Sequence, residues 1–473
     1  MCNLITETIL FFFLLRFSHI SLIPYFNFIV KDFCLLLAAR EEESGHFTTM
    51  TQGTATSDKI KVVYCEDGLL HNPPFEVTSG KIKPYVESPE RLKSIKKYID
   101  ENPSMFQLIS PISDYTLKPI LDIHRPDYIA FLESIYQEWV NAGLPKDACI
   151  GDTFAQLSFA SKLSEEVLLK NANQHPTGKM GYYLGDMSVS FMNETWRAAY
   201  ASVQIVLTAA HELLRSIENS EANDKQSKMV YALCRPPGHH SSDHLAAGYC
   251  FINNAAVAAA FLQNYSSKDM ELLQRPYDPV LATTTNLENM MLDEKPIDEK
   301  KKILILDIDY HHGNGTQEIF YDDSTVFYIS IHGYPDYPHF TGSVDEKGRG
   351  RGLGYNINIP LDPEHTTDEV YLKHLYHVLN TEKTVVNFKA DIVIVSLGLD
   401  TWFEDPIAGM KGLREKHTYY TIGQYIKQSE ATFGKPVLFV QEGGYTYDKL
   451  GELVGQVLQG FACSSDEKLR LDA

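Results

Sequence analysis

The segment Asp307-Ile-Asp309-Tyr-His311-His312-Gly313-Asn314-Gly315 follows an apolar run, Ile303 to Leu306, and so reads as the C-terminal end of a buried strand. Side chains alternate faces along a strand, which predicts that Asp307, Asp309 and His311 point the same way. Gly313 and Gly315 then turn the chain. Two carboxylates and an imidazole would converge at the mouth of a parallel sheet, where open α/β folds place their active sites. That combination suits a metal ion and points to hydrolytic chemistry.

Three further clusters carry reactive groups just past apolar runs. They are Arg235-Pro-Pro-Gly238-His239-His240, Leu397-Gly398-Leu399-Asp400 and Glu442-Gly443-Gly444-Tyr445. A lone histidine after a strand is usually a hydrogen-bonded structural residue, and a lone aspartate there is usually a helix cap. Four such clusters at one sheet edge, with complementary chemistry, are harder to explain that way. Asp309, His311 and Asp400 can supply three ligands and leave a fourth position open for water, the pattern of catalytic rather than structural zinc. Such a metal acidifies its water and polarises a carbonyl. His239 and His240 suit a general base and a general acid. Asp307 can orient one imidazole and raise its basicity, and Asn314 can orient the other without adding charge. The Tyr445 hydroxyl can donate to an oxyanion. Together they describe an amide hydrolase that needs no covalent nucleophile.

The elements that must position these groups are legible as alternation. Strand-like runs at Lys61–Tyr64, Met229–Leu233, Ile303–Asp307, Thr325–Ile331, Ile392–Leu397 and Val437–Val440 are mostly continuous Val/Ile/Leu, as strands buried on both faces are. Helical patterns lie between them. Ser88-Pro-Glu-Arg91 opens one, with serine expected as the cap and proline in the first turn. Others run from about Asn193 to Ser216, Asn253 to Phe261 and Thr367 to Asn380. The alternation predicts a single α/β domain over residues 59–463, a parallel sheet with helices on both faces. The polar, acidic stretch Tyr265–Lys300 reads as an exposed insertion, and residues 464–473 read as a frayed tail.

The formal charge of −20 argues against direct nucleic-acid binding and against anionic membranes. It suits a cationic partner such as a polyamine or a lysine-rich tail. The cysteines, Cys2, Cys34, Cys65, Cys149, Cys234, Cys250 and Cys463, are scattered and include no Cys-x-x-Cys pair. A reducing compartment, cytoplasmic or nuclear, is therefore expected, with any metal held by carboxylates and imidazoles. Residues 1–58 form an apolar, then polar, extension. The apolar part, Ile9 to Ala39, is interrupted by Arg16, Pro24, Lys31 and Asp32 and lacks a basic leader, a poor fit to a signal peptide. Catalytic sequence is expected to begin near Met50, with an interfacial anchor or organelle signal as the alternative.

The four clusters resemble the zinc-dependent histone deacetylases and the related acetylpolyamine amidohydrolases. The matching stretches are Arg235–Asn254 (RPPGHHSSDHLAAGYCFINN), Ile303–Ile319 (ILILDIDYHHGNGTQEI), Leu397–Pro406 (LGLDTWFEDP) and Gln441–Tyr445 (QEGGY), with weaker ones at Glu87–Leu92 and Ile123–Glu133. The resemblance implies the arginase–deacetylase fold, one α/β domain around a central parallel sheet of eight strands. It implies zinc on Asp309, His311 and Asp400, with His239 and His240 as catalytic histidines backed by Asp307 and Asn314. It also implies a structural potassium near Asp307, Asp309, His311 and Ser330. Gly248, Tyr249 and Tyr337 match walls of the acyl channel, Asp186 a rim aspartate, and Arg91 an arginine beside an inner acetate-release cavity. Tyr445 matches the tyrosine that stabilises the tetrahedral intermediate. Asn314 resembles the class II enzymes.

Acetyl-lysine on histones or other proteins is the leading substrate on this reading, with acetylpolyamines close behind. The run His332–Gly342 is similar to the polyamine enzymes, and Tyr249 and Tyr337 stand where histone deacetylases usually carry two phenylalanines. Chromatin-complex partners and a homodimer stay open. So do two other classes. An arginase-like dimanganese hydrolase needs further aspartates where Leu399-Asp400-Thr401 offers one. The complete catalytic set argues against a non-catalytic scaffold.

Overall fold

Short, almost wholly apolar runs form the centre of the molecule because both their faces are covered. The structure, a computed structural model, describes residues 59–218, 228–279 and 296–469. Eight strands form the main sheet: Ile60–Val63 (β1), Phe106–Ile109 (β2), Met229–Ala232 (β3), Ile303–Asp307 (β4), Val326–Gly333 (β5), Asn356–Leu361 (β6), Ile392–Leu397 (β7) and Val437–Gln441 (β8). Their spatial order is β6-β5-β4-β7-β8-β3-β1-β2, and every pairing is parallel.

Alternation along each strand feeds two cores. Ile303, Ile305, Ile394 and Val440 enter one; Leu304, Leu306, Val395 and Phe439 enter the other. The helices Glu90–Glu101 (α1), Pro126–Asn141 (α2), Thr195–Glu218 (α3), Asn254–Asn264 (α4), Asn314–Phe320 (α5), Asp368–Asn380 (α6), Lys416–Gln428 (α7) and Tyr447–Cys463 (α8) flank the sheet. Helices α2, α3 and α4 contribute to the first core, and α1, α6, α7 and α8 to the second. Among the described residues, no helix is long and apolar enough to cross a membrane. The sheet is the expected eight-stranded parallel one with helices on both faces.

Four details differ from the sequence reading. The edge strands β2 and β6 were not expected. Two of the four residues of β2 are exposed, and β6 is interrupted by Asn358 and Pro360, both tolerated at a sheet edge. Ser88 does not cap α1 with its side chain; Pro89 occupies the cap position, and the Ser88 carbonyl accepts from Arg91 N (3.2 Å). The stretch Tyr265–Lys300 begins as structure rather than as exposed loop. Tyr265 is buried and donates to Asp122 (2.9 Å), Ser266 and Asp269 form a capping box for the helix Ser267–Leu273, and Arg275–Pro276 pairs with Ser113–Asp114. Residues 280–295 of that stretch lie outside the described residues, as does the 1–58 extension. The tail is docked as far as Leu469: Lys427 Nζ donates to Ser464 O (2.7 Å) and pairs with Asp466 (2.8 Å), and Leu469 N donates to Gln428 O (3.0 Å).

Helices α7 and α8 cross at glycine contacts. A Cβ on Gly423 would stand 2.0 Å from Val457 O, and one on Gly460 would stand 1.9 Å from Tyr420 O. Gly423→Val should therefore force the helices apart and cost about 1–3 kcal/mol. Urea denaturation should show a lowered midpoint; an unshifted midpoint would mean that the crossing relaxes freely.

Candidate active site

The four clusters follow β4, β7, β8 and β3, which are adjacent in the sheet. Because all strands are parallel, their C-terminal loops share one edge. The pleat of β4 continues past its end: Ile308 N donates to Ser396 O (3.1 Å), and Ile308 and Tyr310 enter the second core. Asp309 and His311 are thereby turned toward Asp400 at the end of β7. Donor atoms of Asp309, His311 and Asp400 all lie within 4.8 Å of one another. His311 Nδ1 is 3.0 Å from Asp400 Oδ2 and 3.4 Å from Asp309 Oδ1. Backbone amides fix the carboxylates: Gly443 N donates to Asp309 Oδ2 (2.8 Å) and Tyr310 N to Asp400 Oδ1 (2.9 Å). A Cβ on Gly443 would lie 2.6 Å from both Asp309 Oδ2 and Asp400 Oδ2, so only glycine lets the β8 loop come this close.

Asp307, Asp309 and Asp400 are each 0% exposed. Buried carboxylates need positive charge or hydrogen bonds beside them. Burial pulls the His311 imidazole down, but hydrogen bonds and charge from Asp309 and Asp400 outweigh it and push it up to about 10. Burial likewise opposes charge on His239, and Asp309 and Asp307 carry it up to about 10. The Asp400 carboxyl is raised by burial and by Asp309. Two oxygen donors, one nitrogen donor and an excess of buried negative charge fit a divalent cation.

A second set of donor atoms, on His239, Cys250 and Glu442, is equally close. It is already committed: His239 Nδ1 pairs with Asp307 Oδ2 (3.1 Å), while Glu442 Oε2 accepts from Gly238 N (2.7 Å) and His239 N (3.2 Å). Burial raises the Glu442 carboxyl to about 7 against the opposing charge of His239.

The paired histidines have different partners. Asp307 Oδ2 faces His239 Nδ1 and also accepts from Tyr328 Oη (2.9 Å). His240 Nδ1 lies 2.8 Å from Asn314 Oδ1, so with this amide orientation Nδ1 carries the hydrogen and Nε2 is free to exchange a proton. Burial, then the neighbouring His239 and His311, hold His240 well below the usual imidazole range. Tyr445 is buried, and its phenol is pushed far above its ordinary value by burial, with Asp400 reinforcing and Arg91 opposing; it stays a hydrogen-bond donor. Its backbone is pinned by Asp405 Oδ2, which accepts from Tyr445 N (2.7 Å).

The remaining expected residues surround this centre. Tyr337 stacks edge-on against His240 (centroids 4.9 Å), and Tyr249 packs near Tyr445 (5.9 Å). Gly248 has φ +53°, and a Cβ there would stand 2.3 Å from His240 Cδ2. Asp186 accepts from Tyr337 Oη and, at 3.1 Å, from Gly248 N. Arg91 is buried behind Tyr445 with its guanidinium 4.8 Å over that ring. Ser330 is buried and in register with Asp307; its hydroxyl lies 2.9 Å from His332 Nδ1. Sequence reasoning missed Glu76, Asp405 and the contacts of Glu442. Glu442 stood in a recognised cluster, but Glu76 had no local signal: its carboxylate accepts from Tyr249 Oη (3.0 Å) across 173 positions.

The chain is similar to several known proteins. The histone deacetylase domain family matches residues 85–270 and 290–461. Acetylpolyamine amidohydrolase 2 of Pseudomonas aeruginosa is 32% identical over 402 residues, covering 84% of this chain and 98% of that protein. Histone deacetylase 18 of Arabidopsis thaliana is 36% identical over 228 residues, covering 47% of this chain and 28% of that protein. The crystal structure of acetylpolyamine aminohydrolase from Burkholderia pseudomallei superposes with a TM-score of 0.67 at 27% identity, covering 86% of this chain and 100% of that one. The chain belongs to the histone deacetylase domain family, and its fold and site are those of a metal-dependent hydrolase of amide C–N bonds.

Asp400→Asn removes one buried charge and one ligand. Metal analysis after dialysis should show well under one divalent ion per chain where the parent protein keeps about one. The metal-free variant should be no less stable than the metal-free parent, because a self-repelling carboxylate has gone. Unchanged metal content would exclude Asp400 as a ligand.

Proposed function

We propose that the chain is a zinc-dependent amidohydrolase that removes acetyl groups from small acetylated polyamines, releasing acetate and the free amine. The sequence reading put acetyl-lysine first and the polyamine second; this order is now reversed. The observation that carries the change is that both channel-wall aromatics are tyrosines, and each hydroxyl is held by a carboxylate, Tyr249 by Glu76 and Tyr337 by Asp186. Asp336, which accepts from Tyr310 Oη (2.6 Å), adds a third acid next to Tyr337. An acidic channel favours a substrate that carries its own ammonium groups. At about 4 Å and a surface-like dielectric, one such pair attracts by about 4 kcal/mol before desolvation. The net charge of −20 helps draw in a small polycation. The near-complete overlap with the two acetylpolyamine enzymes supports the same reading, whereas histone deacetylase 18 overlaps less than half of this chain.

Zinc on Asp309, His311 and Asp400 would polarise the amide carbonyl and acidify the attacking water. The rest falls to the chain. His239, backed by Asp307, and His240, backed by Asn314, take a proton from water and return one to the leaving nitrogen. The Tyr445 hydroxyl donates to the oxygen that gains charge as the carbonyl carbon becomes tetrahedral. Gly248 lets the wall approach His240 and narrows the channel over the reacting bond. A potassium ion beside Asp307, Asp309, His311 and Ser330 would offset part of the buried negative charge.

Acetate release from N-acetylputrescine, N-acetylspermidine and an acetyl-lysine peptide should be measured side by side, and the polyamines should give the higher kcat/KM. Faster turnover of the peptide would restore the acetyl-lysine reading, and no turnover of any of them with zinc loaded would reject both. Tyr445→Phe should lower kcat by about 10²–10³ with metal content unchanged. Asp186→Asn should raise KM for N-acetylputrescine by about tenfold, the worth of one charge-assisted contact. An unaltered KM would remove Asp186 from amine recognition.

A further inference from the structure

Behind the site lies a charged triad that the chemistry above does not use. Glu87, Arg91 and Arg235 are 0%, 2% and 1% exposed. One oxygen of Glu87, Oε1, accepts from Arg91 Nη1 (2.7 Å) and from Arg235 Nε (2.7 Å). The other, Oε2, has no hydrogen-bond partner among the described residues. Each guanidinium grips a different part of the site. Arg91 donates from Nε to Gly444 O (2.6 Å) and from Nη2 to Glu442 O, and covers the Tyr445 ring. Arg235 begins the loop that bears His239 and His240; it donates to His71 O (2.7 Å), Glu87 O (2.6 Å) and Gly68 O. The circuit closes in front, where the Glu442 carboxylate accepts from Gly238 N and His239 N.

We infer that Glu87 is a positioning residue: it sets the tyrosine loop against the histidine loop by holding Arg91 and Arg235 to one oxygen. Two guanidiniums share one negative charge in the interior. Without it they repel, and the repulsion falls on Gly444 O and Glu442 O, which place Tyr445. Stability alone does not account for the triad, because a buried ion network is often no more stabilising than apolar side chains of the same volume. A shift of about 1 Å at the donor hydroxyl is enough to cost about 10²-fold in rate. This inference rests on the proposed role of Tyr445 as the oxyanion donor.

The test is a double-mutant cycle on the full chain loaded with zinc, using whichever acetylated substrate the parent protein turns over. Glu87→Gln keeps the size and the acceptor but removes the charge. It should lower kcat by about 10–100-fold, with KM within about threefold and zinc content unchanged. Tyr445→Phe alone should be slow, and adding Glu87→Gln to it should slow it by no more than about twofold, because both changes remove the same interaction. Glu87→Asp, which restores the charge, should recover part of the rate, and it also serves as the second variant if Glu87→Gln does not fold. Losses that multiply in the double variant would overturn the inference, as would a Glu87→Gln enzyme with parental kcat. If Tyr445→Phe itself turns over normally, the proposed role of Tyr445 fails first and the inference goes with it. A slow Tyr445→Phe beside a normal Glu87→Gln removes the inference alone.

Discussion

Charge confinement governs this molecule. Three carboxylates, Asp307, Asp309 and Asp400, are held out of water at one end of the sheet. Carboxylates so placed are tolerated only where cations, imidazoles and backbone amides converge on them. That requirement explains features that otherwise look unrelated. Gly398 and Gly443 lack side chains because a Cβ would strike the Asp309 carboxylate at 1.8 and 2.6 Å. The imidazoles of His239 and His311 are drawn toward their charged forms although burial opposes it. A divalent cation fits where Asp309, His311 and Asp400 face each other.

The sheet makes this confinement affordable. Strands β4, β7, β8 and β3 are neighbours although they span residues 229 to 441. Each is buried on both faces, so few side-chain degrees of freedom remain at the strand ends. Loops leaving such strands begin from fixed positions, and the reacting groups inherit that rigidity. Behind them a second layer of charge, Glu87 between Arg91 and Arg235, reaches the same loops from the opposite side.

Much of the site was legible because each cluster sits directly past a run of Val, Ile and Leu, and that pattern marks a strand end wherever it occurs. Asp309, His311 and Asp400 were readable in this way, and so were His239, His240 and Tyr445. The edge strands were not, since β6 alternates Asn with Ile and its asparagines serve Gln317, at 2.8 Å from Asn356 and 2.8 Å from Asn358. The start of the 265–300 stretch was misread for a related reason. Its polar composition hid a capping box and two buried anchors, Tyr265 and Met270, too few to leave a periodic trace. Glu76 carried no local signal, and Glu87 stood in a matching stretch, Glu87–Leu92, without an assigned role, because an isolated glutamate acquires meaning only from what it touches.

The chain's own order of residues determined which groups could ligate, which could carry protons, where strands would end and that the molecule would be strongly acidic. These are local properties, set by residue type and by the two-residue period of a strand. Tertiary structure decided which strands are neighbours, that Asp307 serves His239 while Asp400 serves His311, and that Tyr249 and Tyr337 donate to carboxylates. Partners in these pairs stand 68 to 173 positions apart. No local pattern specifies such pairings, because they follow from which faces of distant elements bury one another.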